Sequence, residues 1–160
     1  MGRHFSDQEI TSLLGEKKPL PDDWQKRTKM RPKRGHKERD LEIDGISGGR
    51  YRLILRESEV NPLAFSVILA VYLPGTSTLF RLRRYNGKGH EHTNLIEGET
   101  FYDFHIHTAT ERYQELGARE DAYAEPTERF SDLRGAVRCL IQDANLSIPK
   151  DPQGCLFEEL

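Results

Sequence analysis

The alternation of apolar and polar positions divides the chain into a front helix, a run of strands and a closing helix. Ser6 starts the first helix as its cap, Glu9 completes a capping box, and Phe5 with Ile10 forms a hydrophobic staple. Ile10, Leu13 and Leu14 make its apolar face, Gly15 ends it, and Pro19 and Pro21 forbid its continuation. From Tyr51 the period changes to two. YRLILRES (51–58) alternates as a strand with one wet face, and FSVILAVYL (65–73) is a nearly unbroken β-branched and aromatic run suited to a central strand. LFRLRRYN (79–86) resumes alternation, predicting Phe80 and Leu82 inward with Arg81, Arg83 and Tyr85 outward. TFYDFHIHTAT (100–110) places Tyr102, Phe104 and Ile106 on one parity and Asp103, His105 and His107 on the other. Asn61-Pro62 and Pro74-Gly75 supply turns, and the short connections favour an antiparallel meander. A helix follows over about 131–145, with Leu133, Ala136, Val137, Leu140 and Ile141 at helical spacing.

The predicted fold is therefore α+β, an antiparallel sheet of about four to five strands packed against N- and C-terminal helices. With 160 residues the chain is one domain, 1–160. Within it lie an N-terminal helical part (1–21), a basic connector (22–49), a sheet carrying the histidines (50–114) and a C-terminal helix and tail (115–160). The connector is expected to be exposed, because glycines and Pro32 interrupt it and apolar periodicity is weak, with Trp24 as its packing anchor.

Charge sharpens this division. Residues 24–39 carry eight Lys or Arg against one acid, while the rest of the chain carries 16 bases against 25 acids. A uniformly basic nucleic-acid binder is excluded; a basic arm on an acidic body is not, and a solvated loop fits the same run. Lys33, Arg34, Lys37 and Arg39 are the arm's phosphate-binding candidates, and Arg81, Arg83 and Tyr85 form a candidate single-strand platform. No apolar run is long enough to span a membrane, and the first residues lack the apolar core of a secretion signal, which points to a cytoplasmic protein. Cys139, on the apolar side of the last helix, is expected as a buried free thiol. The tail with Cys155, Leu156 and Phe157 either docks on a protein partner, such as a second copy in a homodimer, or covers its own core.

Chemistry concentrates in residues 89–114, which hold four of the six histidines as His90-Glu91-His92 and His105-Ile106-His107. Positions i and i+2 of a strand project together about 7 Å apart, so each pair shares a face, and a hairpin could bring all four rings into one patch. Three readings follow. His90, His92, His105 and His107, with Asp103 as a carboxylate, suit a divalent zinc, iron or nickel ion. Alternatively His92, His105 and His107 act as metal-free acid and base on a phosphodiester, with Arg112 steadying the charge. In the third reading the histidines face solvent and only make hydrogen bonds. The stretch from His90 to Glu97 resembles the His-x-His-x4-Glu piece of the cupin metal motif, whose glycines and second half are missing.

Four pieces, Ser6–Leu14, His92-Thr93-Asn94, His105-Ile106-His107 and Phe130–Asn145, together resemble a family of small bacterial and phage-associated proteins. The resemblance implies a short N-terminal helix, paired strands with a His/Asn-containing loop, a His-x-His strand and a terminal helix, and no established activity. Where such proteins carry Tyr-Arg-Glu-Gly after His-x-His, this chain has Thr108-Ala109-Thr110-Glu111-Arg112-Tyr113. The expected function is a small hydrolase or nuclease acting on phosphodiesters through the histidines; the other class is a non-catalytic module binding nucleic acid or protein.

Overall fold

A computed structural model describes residues 5–149, the side chain of Lys33 excepted; Cys155 and its tail lie outside these residues. Its elements in chain order are α1 (Asp7–Gly15), β1 (Lys18–Pro19), α2 (Trp24–Arg27), β2 (Lys29–Lys33), β3 (His36–Asp44), β4 (Arg50–Ser58), β5 (Phe65–Tyr72) and β6 (Leu79–Asn86). There follow β7 (His92–Thr93), β8 (Thr100–Phe101), β9 (His105–Thr108), α3 (Glu111–Leu116), β10 (Ala124–Pro126), α4 (Leu133–Asp143) and β11 (Leu146–Ser147). The main sheet has seven strands in the order β10-β9-β6-β5-β4-β3-β2, every neighbour antiparallel. The α+β class is as the patterning predicts, with more strands than the four to five expected.

The additional strands come largely from the stretch read as a connector. Residues 29–44 form the β2–β3 hairpin, turned at Gly35 with a positive φ of 83°. Its apolar side is short, Leu41 and Ile43. Its other face is organised by charge, with Asp40 2.9 Å from Arg52 and Glu38 2.7 Å from Arg56 across the β3–β4 ladder. Cross-strand ion pairs thus take the place that apolar alternation would hold. Trp24 is buried in the core, as expected of an anchor.

One face of the sheet carries the core. Leu41, Ile43, Tyr51, Leu53, Leu55, Val67, Leu69 and Val71 pack with Ile10 and Leu14 of α1 and with Ala136, Val137 and Leu140 of α4. Both helices are capped: the Ser6–Glu9 capping box is formed as the sequence predicts, and at α4 Asp132 accepts from the Gly135 N–H. Cys139 is a buried free thiol. The ends of the fold are joined by β1 and β11, which pair in parallel. There the buried Lys18 Nζ donates to the carbonyls of Leu14, Glu16 and Ala144 at 2.9, 2.8 and 2.7 Å.

Two expectations about side-chain direction are corrected. Leu82 is an extra residue in β6, because Leu69 pairs with Arg83 while Ala70 pairs with Arg81. This bulge resets the parity, so Tyr85 points into the core, fully buried, and donates to Asp143 of α4. The run 100–110 is also not one strand. Thr100 and Phe101 belong to a separate hairpin with β7, the chain bends at 102–104, and β9 begins at His105. Tyr102 is exposed, Phe104 and Ile106 pack partly buried against the core, and His105 and His107 on the other parity are 0% and 3% exposed, so β9 is covered on both faces. Among the described residues no helix is long and apolar enough to cross a membrane.

Candidate functional site

The face of the sheet opposite the core carries two rows that cross the strands. Because directly paired residues of antiparallel strands share a face, Glu38, Arg56, Ser66, Asn86 and His105 form one row, and Asp40, Ile54, Ile68, Arg84 and His107 the next. Both rows reach β9, beside the β7–β8 hairpin, and there the histidines converge. The ring of His92 lies 5.5 Å from that of His105 and 4.8 Å from that of His107, and His105 and His107 are 4.9 Å apart. Exposed His90 stands at the rim, its ring 6.1 Å from His105, and Phe101 closes one side at 5.6 Å.

The hydrogen bonds assign a tautomer to each of the three inner rings. A carbonyl can only accept, so His105 donates Nδ1–H to the Asp103 carbonyl and His107 donates Nδ1–H to the Asp121 carbonyl, both at 2.8 Å. Their Nε2 atoms therefore carry lone pairs. Asn94 is oriented by donating Nδ2–H to the Ala124 carbonyl and accepting the Ala124 N–H on Oδ1. The same oxygen accepts from His92 Nε2 at 2.8 Å, which leaves the lone pair of His92 on Nδ1. Ser66 donates to Asn86 Oδ1, and Asn86 Nδ2 faces His105 Nε2 at 3.4 Å.

Burial holds His105 and His107 neutral. It depresses His105 to about 4, with the nearby histidines adding to the effect and the bond to Asp103 opposing it. His107 is lowered to about 2 by burial first and then by the charge of Arg84. A pair working as base and protonated acid at neutral pH is not what these two rings provide. They provide lone pairs. Among the described residues, however, no three His, Cys, Asp or Glu side chains are placed so that they could hold a metal ion as they stand.

Arg84 brings positive charge beside the rings. Its partner is Asp121, fully buried, which also faces Arg119 and Arg81, at separations of 3.3 to 3.7 Å. Neither carboxylate oxygen of Asp121 makes a hydrogen bond, so the cluster is held by charge rather than by directed bonds.

Several residues expected at the site lie elsewhere. Asp103 contributes its main-chain carbonyl, and its exposed side chain lines a different hollow with Lys88 and Phe104. Arg112 binds Glu97 at the surface, at 3.1 Å through Nε, and Tyr113 donates to the same carboxylate, so this group pins the β7–β8 turn to α3. Arg81 is engaged by Glu120 and Arg83 by Asp143, and with Tyr85 buried these three do not form a stacking platform. Arg39 pairs with Glu57 at 3.2 Å, while Arg34 and Lys37 are exposed on the β2–β3 hairpin. Patterning did not single out Asn86 or Asp121, and Asn94 entered only within the His92-Thr93-Asn94 piece of the resemblance. The i, i+2 placement of Arg84 and Asn86 in a strand was the available signal for that pair.

No family model matches the chain, and no curated protein or solved structure matches it either.

Proposed function

We propose that the chain is a small phosphodiester hydrolase whose centre is a divalent-metal site built from His92, His105 and His107. The observation that carries this reading is the shared tautomer pattern: each ring has one nitrogen tied to a fixed protein acceptor and a lone pair on the other, that of His105 facing the Asn86 amide at 3.4 Å. Metal-ligating histidines are oriented in this way by carbonyl and amide partners. Depressed proton affinity, which weakens a general base, keeps a ligand nitrogen available at neutral pH. His92 Nδ1, His105 Nε2 and His107 Nε2 would hold the ion, three nitrogens leaving a position for solvent. A zinc, iron or nickel ion there supplies Lewis acidity and a water of lowered pKa.

The protein's own contribution is positioning and charge. Asn94 and the two carbonyls fix the rings, and Arg84 offers a positive field to the anionic phosphoryl group. The reaction is addition of water: oxygen joins phosphorus, one ester P–O bond breaks, and the proton ends on the departing oxygen. The test is elemental analysis and zinc titration of untagged protein against the His105→Ala/His107→Ala double variant, with an aryl phosphodiester as activity probe. Near-stoichiometric metal and hydrolysis, both lost in the variant, are expected. Failure of zinc, iron and nickel to bind the wild type refutes the metal centre.

A further inference from the structure

Arg56, Ser66 and Asn86, the middle of the first row, form the floor of a cleft. Its walls include Gly35 and His36 from the β2–β3 hairpin at one end, and Gly87, Gly89 and His90 at the other. The inner end is made by Asn86 and His90, the two residues that face His105. The outer end opens at the turn of the basic hairpin, where Arg34 is exposed. The strand register thus lays a cleft between Asn86 and His90, which face the buried His105, and the turn of the basic β2–β3 hairpin.

Arg56 is the group in this cleft suited to an anion. Buried Glu38 accepts from its Nε at 2.7 Å, which fixes the guanidinium, and among the described residues its two terminal nitrogens have no partner. The unpaired edge of a guanidinium held in this manner matches two oxygens of a phosphate. Three strand steps separate Arg56 from His105 along the row, about 14 Å. That span exceeds a single phosphodiester group, so both ends are engaged together only by a polymer of them. His105 and His107 lie buried behind the cleft's inner end, which favours a flexible strand over the rigid face of a duplex.

We infer that this cleft binds single-stranded nucleic acid, one phosphate on Arg56 and the strand continuing toward Arg34, with its scissile link directed at the histidines. The inference deepens the hydrolase reading and rests on it for the direction of the strand, but the binding is separately measurable.

The experiment is fluorescence anisotropy with a labelled strand of about twelve nucleotides, as RNA and as DNA, and with the corresponding duplexes, over a salt series. Wild type is expected to bind at least one strand more tightly than its duplex. Arg56→Gln and Arg34→Gln should each weaken binding and lower the salt slope by about one, with Arg56→Lys between Arg56→Gln and wild type. Arg34 lies on an exposed turn, so its variant tests the cleft even if Arg56→Gln does not fold. Duplex bound as tightly as the strand, no binding at low salt, or wild-type affinity in both Arg34→Gln and folded Arg56→Gln overturns the inference. Zinc titration of the same samples separates the two proposals: metal retained without strand binding defeats only this one, and strand binding without metal defeats only the metal centre.

Discussion

Asn94 Oδ1 lies 2.8 Å from His92 Nε2, and the same oxygen accepts the Ala124 N–H, so one buried amide ties the β7–β8 hairpin to the sheet edge and sets a ring tautomer. Replacement by Ala releases both. Asn94→Ala is expected to weaken zinc binding about 10–100-fold, measured by competition against a chromophoric chelator. Asn94→Asp keeps an acceptor for His92 and should lose less. Equal zinc affinity in Asn94→Ala and wild type would remove Asn94 from the site.

The two buried histidines make the metal-free protein acid-sensitive. Both folded-state values lie below the ordinary histidine value of about 6.5, at about 4 for His105 and about 2 for His107. Below pH 6.5 the unfolded chain takes up protons that the folded one refuses. Stability is therefore lost as pH falls, by about 1.4 kcal/mol per unit for each histidine. The loss for His105 levels off near its folded value. Urea unfolding in the presence of a chelator, from pH 7 to 5, reads this slope, and His107→Gln should flatten it. A pH-independent midpoint would mean that the rings are not neutral by burial.

Tyr85 provides a test of the sheet's parity. Tyr85→Phe removes a donor to Asp143, which Arg83 and Arg129 continue to hold, so the expected cost is about 1–2 kcal/mol. Strand binding should not change, because the ring faces the core. A stacking platform would instead lose most of its affinity with Tyr85→Ala and little stability.

Lys18 joins two helix ends. Lys18→Met fills the same space without a donor and leaves the Leu14, Glu16 and Ala144 carbonyls unpaired. A loss of about 3 kcal/mol is expected in chemical denaturation. A change under 1 kcal/mol would show that water satisfies those carbonyls.

Much of the fold could be read from the chain because local and global signals agreed there. The Ser6–Glu9 box, the apolar run of β5 and the 3.6-residue period of α4 each name their element unaided. The β2–β3 hairpin could not be read in the same way, since its stability lies in partners such as Arg52 for Asp40 that only the register brings together. Tyr85 was misdirected by a single extra residue, Leu82, whose bulge has no composition of its own. For the site, the two His-x-His spacings named four rings that the structure brings close together. What they could not convey was depth: His105 and His107 are buried beside a short hairpin, and the groups that orient the rings, Asn94 and the Asp121 carbonyl, come from segments with no evident periodicity.

The parallel pairing of β1 with β11 has a consequence for synthesis. Lys18 and Pro19 find their partners, Leu146 and Ser147, only near the end of the described chain. Emerging from a ribosome, the early helix and hairpins can form from local contacts, but the clasp between the two ends must wait until almost everything between them has been made. During that interval Lys18 has no Ala144 carbonyl to reach, and the surface that α4 will cover on β5 and β6 is open. The nascent protein thus passes through a stage with its sheet assembled and its lid absent, the period in which a chaperone would find most to hold.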